Sequence, residues 1–95
     1  MAAAHERLKA ESQKMVQAGE AMLLNGQRAD AHAAFVQAIN LDAQNDAGWV
    51  GCARTAESPR AAVDFAKHAL QINPGNAEAR RLSVEKTDPI ESKSK

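Results

Sequence analysis

Three histidines (His5, His32 and His68) and one cysteine (Cys52) are the side chains of this 95-residue chain best suited to metal binding or nucleophilic chemistry. A structural zinc site needs about four converging Cys or His ligands, usually with two of them a few residues apart. Here the histidines are isolated from one another, with no close cysteine or carboxylate set. Each therefore reads as a solvated surface or helix-end residue. A reactive thiol needs a neighbouring cation or a helix N-terminus to lower its pKa. Nothing near Cys52 in sequence does so, and it shares a helical face with Trp49, which makes it a small core residue. Gly48 and Gly51 flank Trp49 within a helix and form no phosphate-binding loop; they read as positions of close packing. With no nucleophile–base pair and no metal set, the expectation is a protein that is not an enzyme and uses no cofactor or metal.

Composition narrows the class further. The formal net charge is zero and the pI about 6.8, so there is no electrostatic case for nucleic acid or an anionic membrane. No apolar run approaches the ~20 residues of a membrane span. A single cysteine excludes a disulfide-stapled secreted domain. The first residues lack the apolar core of a signal peptide, and the cytoplasm is the expected location.

The positioning elements are helices, organised around a turn that occurs twice. Ala38–Asn45 reads Ala-Ile-Asn-Leu-Asp-Ala-Gln-Asn, and Ala69–Asn76 reads Ala-Leu-Gln-Ile-Asn-Pro-Gly-Asn. Each ends one helix and caps the next, and a recurring turn implies a repeated helical unit. In order, helices are expected over about 4–25, 27–40, 46–56, 59–72 and 77–86. Leu8, Met15, Ala18, Gly19 and Met22 form the expected buried stripe of the first. Gly19 on that stripe implies a close backbone neighbour. Asn25-Gly26 turns the chain. The second helix buries Ala31, Ala34, Phe35, Ala38 and Ile39, the third Trp49, Cys52, Ala53 and Ala56, and the fourth Ala62, Phe65, Ala66, Ala69 and Leu70. The fifth is polar enough to act as a solvating cap. Residues 1–88 read as one helical repeat domain, and residues 89–95 as a disordered tail.

This arrangement resembles the tetratricopeptide repeat, whose 34-residue helix–turn–helix units follow a Trp-x2-Leu-Gly-x2-Tyr, Ala-x3-Phe, Pro pattern. Met15-x2-Ala18-Gly19-x2-Met22 with Ala31-x3-Phe35 and Ala38 matches the first unit. Trp49-x2-Cys52-Ala53-x2-Ala56 with Ala62-x3-Ala66, Ala69 and Pro74 matches the second. Met15 and Trp49 are 34 residues apart, but Ala38 and Ala69 only 31, so the second unit is three residues short near Glu57-Ser58-Pro59. The resemblance implies an all-α fold: a right-handed stack of antiparallel helix pairs, a fragment of an α-solenoid with about five helices.

It also implies a concave groove that binds a protein or peptide. By position, the lining is Gln13, Val16, Glu20, Leu23 and Leu24 from the first helix, Val50 and Arg54 from the third, and Arg81 from the last. Val16, Leu23, Leu24 and Val50 would supply apolar contact, with Glu20 and Arg54 orienting the ligand. Relatives that clamp acidic chaperone tails carry Lys and Asn where this chain has Val16 and Glu20, so that clamp is not expected. The alternative is self-association, through the open face of the short array or a seam of Leu8, Met15 and Met22 at seven-residue spacing.

Overall fold

The computed structural model describes residues 2–84, with side-chain surroundings from Ala4 onward. These residues form five α-helices, α1 (Ala2–Leu24), α2 (Arg28–Leu41), α3 (Asp46–Arg54), α4 (Pro59–Ile72) and α5 (Ala77–Leu82), with no strand among them. The expected tail over 89–95 lies outside the described residues, as do residues 85–86 of the expected fifth helix, which ends at Leu82 with Ser83 as its cap.

α1 is rich in Ala, Glu, Lys, Gln and Met, all strong helix formers. It stops where Gly26 takes a φ of +79°. Gly26 N–H then bonds Leu23 C=O at 3.0 Å and Gln27 N–H bonds Met22 C=O at 2.8 Å, which satisfies two of the orphan carbonyls.

The recurring turn has the same bonds in both places. Asp42 N–H reaches Ala38 C=O at 2.9 Å, and Asn73 N–H reaches Ala69 C=O at 2.8 Å. The Asp42 and Asn73 side chains each accept from the backbone two residues on, at 3.1 Å. Asn45 and Asn76 then cap α3 and α5, their Oδ1 atoms accepting from Ala47 N–H at 3.1 Å and Ala79 N–H at 2.9 Å. Each cap has a second use. Asn45 Nδ2 donates to Ser12 Oγ of α1 at 2.8 Å, and Asn76 Nδ2 donates to Asp46 Oδ2 of α3, also at 2.8 Å.

α1 packs chiefly on α2, and α3 chiefly on α4. α3 also touches α2, α1 and α5, so the shortest helix but one is in contact with all four others. A helix enclosed on so many sides must be made of small residues, and Gly48, Val50, Gly51, Cys52 and Ala53 are all buried. Phe35 of α2 is wholly buried against it. A Cβ built on Gly51 would lie 2.2 Å from the Phe35 ring, and one on Gly19 of α1 would lie 2.7 Å from it. The close neighbour that Gly19 implies is thus an aromatic side chain and not another backbone.

The buried stripe of α1 is rotated from the expected one. Ser12, Val16 and Gly19 are buried, Met15 and Met22 are half-buried, and Leu8 is 44% exposed. Ser12 is fully buried because its hydroxyl donates to Ala38 C=O at 2.7 Å while accepting from Asn45, which offsets the cost of desolvating it. Trp49 is half-buried. Its Nε1–H donates to Ala43 C=O at 2.9 Å, and its ring stacks on the exposed His68 imidazole at 3.9 Å.

Candidate interaction surface

α3 stops short, and its end is tied down by side chains. The Thr55 hydroxyl turns back to donate to Gly51 C=O at 2.9 Å, which competes with continuing the helix. With that hydrogen committed, Thr55 Oγ accepts from His32 Nδ1–H at 2.7 Å. The Arg28 guanidinium donates to Ala56 C=O. Ser58 then caps α4, accepting from Ala61 N–H at 3.1 Å, with Pro59 at the first helical position.

Alignment on the bridging residues locates the three-residue deficit. From Ser12, α1 continues to Leu24; from Asp46, α3 reaches only Arg54, four residues fewer. The connection that follows is one residue longer, 55–58 against 25–27. A cleft of about 320 Å³ opens where α3 ends. Ala53, Ala56 and Ala62 give it a small-residue floor, Val63, Leu82 and Val84 add apolar wall, and Arg28, Arg54 and Arg81 stand around it.

Of the eight residues expected to line a groove, the structure brings Arg54 and Arg81 together in this cleft. Val16 (4% exposed) and Val50 (6%) are core residues, not groove lining. The burial of Ser12 turns α1 so that Val16 faces α2, and α3 is enclosed around Val50. Leu23 is half-buried on the same core, whereas Leu24 is 89% exposed. Glu20 reaches Arg54 across α1 and α3 at 3.5 Å, both side chains substantially exposed. Gln13 is exposed and accepts a long bond from Asn45 at 3.4 Å. The seven-residue seam is also occupied, because Met15 and Met22 pack on the core and leave Leu8 alone.

The parts of the cleft outside that list, among them Arg28, Ala56, Val63, Leu82 and Val84, are not anticipated as a site by the sequence. The signal that points to them is the difference between 34 and 31 in the two spacings.

Burial pushes the Cys52 thiol up to about 11. Among the described residues, no group of three or more His, Cys, Asp and Glu stands close enough to share a metal ion, and no helix is long and apolar enough to cross a membrane. No protein-family model matches the chain, and no curated protein is significantly similar to it.

Proposed function

We propose that this chain is a non-enzymatic protein-interaction module working in the cytoplasm. In this reading it is built, in the manner of tetratricopeptide repeats, as a right-handed stack of antiparallel helix pairs. A protein segment docks on the face formed by α1, α3 and α5.

The observation that carries the reading is the paired bracket at the recurring turn. Asn45 holds Ser12, and Asn76 holds Asp46, each while capping the helix that follows. Asp46 stands 34 residues after Ser12 and Asn76 stands 31 after Asn45. Units that dock on their predecessors in the same way repeat their junction contacts, and this bond is one that recurs. The contacts of α1 with α3 and of α3 with α5 support one continuous face of odd-numbered helices. On it Leu24 is the exposed apolar anchor, and the Glu20–Arg54 pair supplies polarity.

Affinity capture from an extract of the source organism, followed by mass spectrometry, tests this face. Protein partners retained by the wild type and lost from a Glu20→Lys, Leu24→Asp variant support it. An identical set of captured proteins from both would overturn the assignment. Both substituted positions are exposed, so the variant should fold.

A further inference from the structure

Leu24 is not among the residues that line the cleft at the end of α3, and the cleft shares only Arg54 with the residues named for the α1–α3–α5 face. We propose that it is a second docking site, and that it receives a helical segment of a partner protein bearing a bulky apolar ridge flanked by acidic residues.

Three features argue for that chemistry. The first is volume. Three of the lining residues, Ala53, Ala56 and Ala62, are small, so a well-packed contact takes much of its bulk from the partner. The cleft's 320 Å³ sits at the low end of ligand-holding clefts, about 300–1,000 Å³, and has room for a few large side chains.

The second is charge. Among the described residues, the lining holds three arginines (Arg28, Arg54 and Arg81) and one glutamate, Glu57. Arg54 and Arg81 contact Glu20 and Glu78, but these side chains are 36–71% exposed. Such pairs exchange readily for a partner carboxylate, because solvent-exposed ion pairs contribute little. Arginine also offers a planar fork that matches a carboxylate.

The third is backbone chemistry. Besides Glu57, Ser58 and Pro59, the lining presents alanine, valine and leucine side chains and guanidinium groups, with no strand edge among the described residues. An extended peptide there would bury N–H and C=O groups without partners, whereas a helix satisfies its own.

The test uses the full chain and a labelled peptide of about 15 residues, roughly four helical turns. The peptide carries leucines at i, i+4 and i+7 with glutamates on both sides, and a second version replaces each glutamate by lysine. The expected result is saturable binding of the glutamate peptide in fluorescence anisotropy. Arg81→Glu and Val84→Asp should each weaken it by about tenfold or more. Both positions are exposed, so loss of binding would not reflect unfolding. Leu24→Asp should leave it unchanged, which separates this site from the α1–α3–α5 face. Equal binding of the lysine peptide, or unchanged binding by Val84→Asp, overturns the proposal. Two other results overturn it by naming a different occupant. Binding that emerges only in an Ile90→Asp variant would assign the cleft to the chain's own C-terminal residues. A dimer in light scattering that the peptide dissociates would assign it to a second copy.

Discussion

Asn76 caps α5 through one side-chain atom and holds α3 through the other: its Oδ1 accepts from Ala79 N–H, and its Nδ2 donates to the Asp46 carboxylate at 2.8 Å. Asn73 donates to the same carboxylate oxygen at 3.0 Å. Asp46 is thereby the point at which the second recurring turn is fastened to the helix before it. Asn76→Ala removes both bonds and should cost about 1–2 kcal/mol of stability, measured by urea denaturation.

The same contact predicts an acid limb in the stability curve. Burial alone would raise the Asp46 pKa, but hydrogen bonds from Asn73, Asn76 and the local backbone outweigh it and hold the group below its ordinary value. The folded state therefore binds the proton less tightly than the unfolded state does. The resulting stability is present above the unfolded aspartate pKa, about 3.9, and is lost as pH falls through the lower folded value. In Asp46→Asn this contribution should vanish, so the difference between variant and wild type should shrink as pH falls from 6 toward about 3.

Phe35 lies between Gly19 and Gly51, and the two glycines should not respond alike to alanine. At Gly51 the added methyl would fall 2.2–2.4 Å from three ring atoms, on the buried side of a helix that touches all four others. Gly51→Ala should destabilise by about 1–3 kcal/mol, as overpacked cores do. At Gly19 the clash is milder, 2.7–3.0 Å, and alanine gains about 1 kcal/mol of helix propensity. The smaller loss is expected there. A Phe35→Leu background should reduce the cost of Gly51→Ala, and a double-mutant cycle measures the coupling.

Cys52 should be chemically silent in the native protein. It has no solvent exposure, and its thiol is pushed up to about 11 by burial. Iodoacetamide at mildly alkaline pH should label it only at the rate at which the fold opens, and completely in urea. The sign for stability is opposite to that of Asp46. The unfolded thiol ionises first, so stability is intact below the ordinary pKa of 9.0 and declines as pH rises from there toward 11.

Thr55→Val keeps the shape of a buried side chain but removes the donor to Gly51 C=O and the acceptor for His32 Nδ1–H. The expected cost is about 1–2 kcal/mol in thermal denaturation, with Thr55→Ser retaining most of the stability.

The turns were the most legible part of the chain. Asp42, Asn45, Asn73 and Asn76 act through bonds to nearby backbone, so their role follows from local sequence. The faces of the helices were less so. Hydrophobic periodicity counts Ser12 as polar, yet two hydrogen bonds let it be buried, and the stripe of α1 turned with it. That brought Val16 into the core. In α3 the face read from spacing is largely buried, with Cys52, Ala53 and Ala56 in the core and Trp49 half-buried, but contact with four other helices buries the neighbouring Val50 as well. The groove position that the family resemblance implies for Val50 takes no account of that enclosure. The cleft was foreshadowed only as three missing residues; its arginines come from α2, α3 and α5 and have no common pattern in sequence.

The shortening of α3 also shows where this architecture tolerates changes of length. Pro59 opens α4 and Arg28 opens α2, and both helices run for 14 residues to a turn with the same bonds. The difference in length between α1 and α3 is thus taken up before Pro59, and the second recurring turn keeps the bonds of the first. An insertion or graft between Thr55 and Ser58 should leave α4 and the second recurring turn intact, because that connection differs in length from its counterpart at 25–27 while the turn bonds do not change. The same edit between Leu41 and Asp46 would unhook Asn45 from Ser12 and let the two halves of the molecule slide past each other.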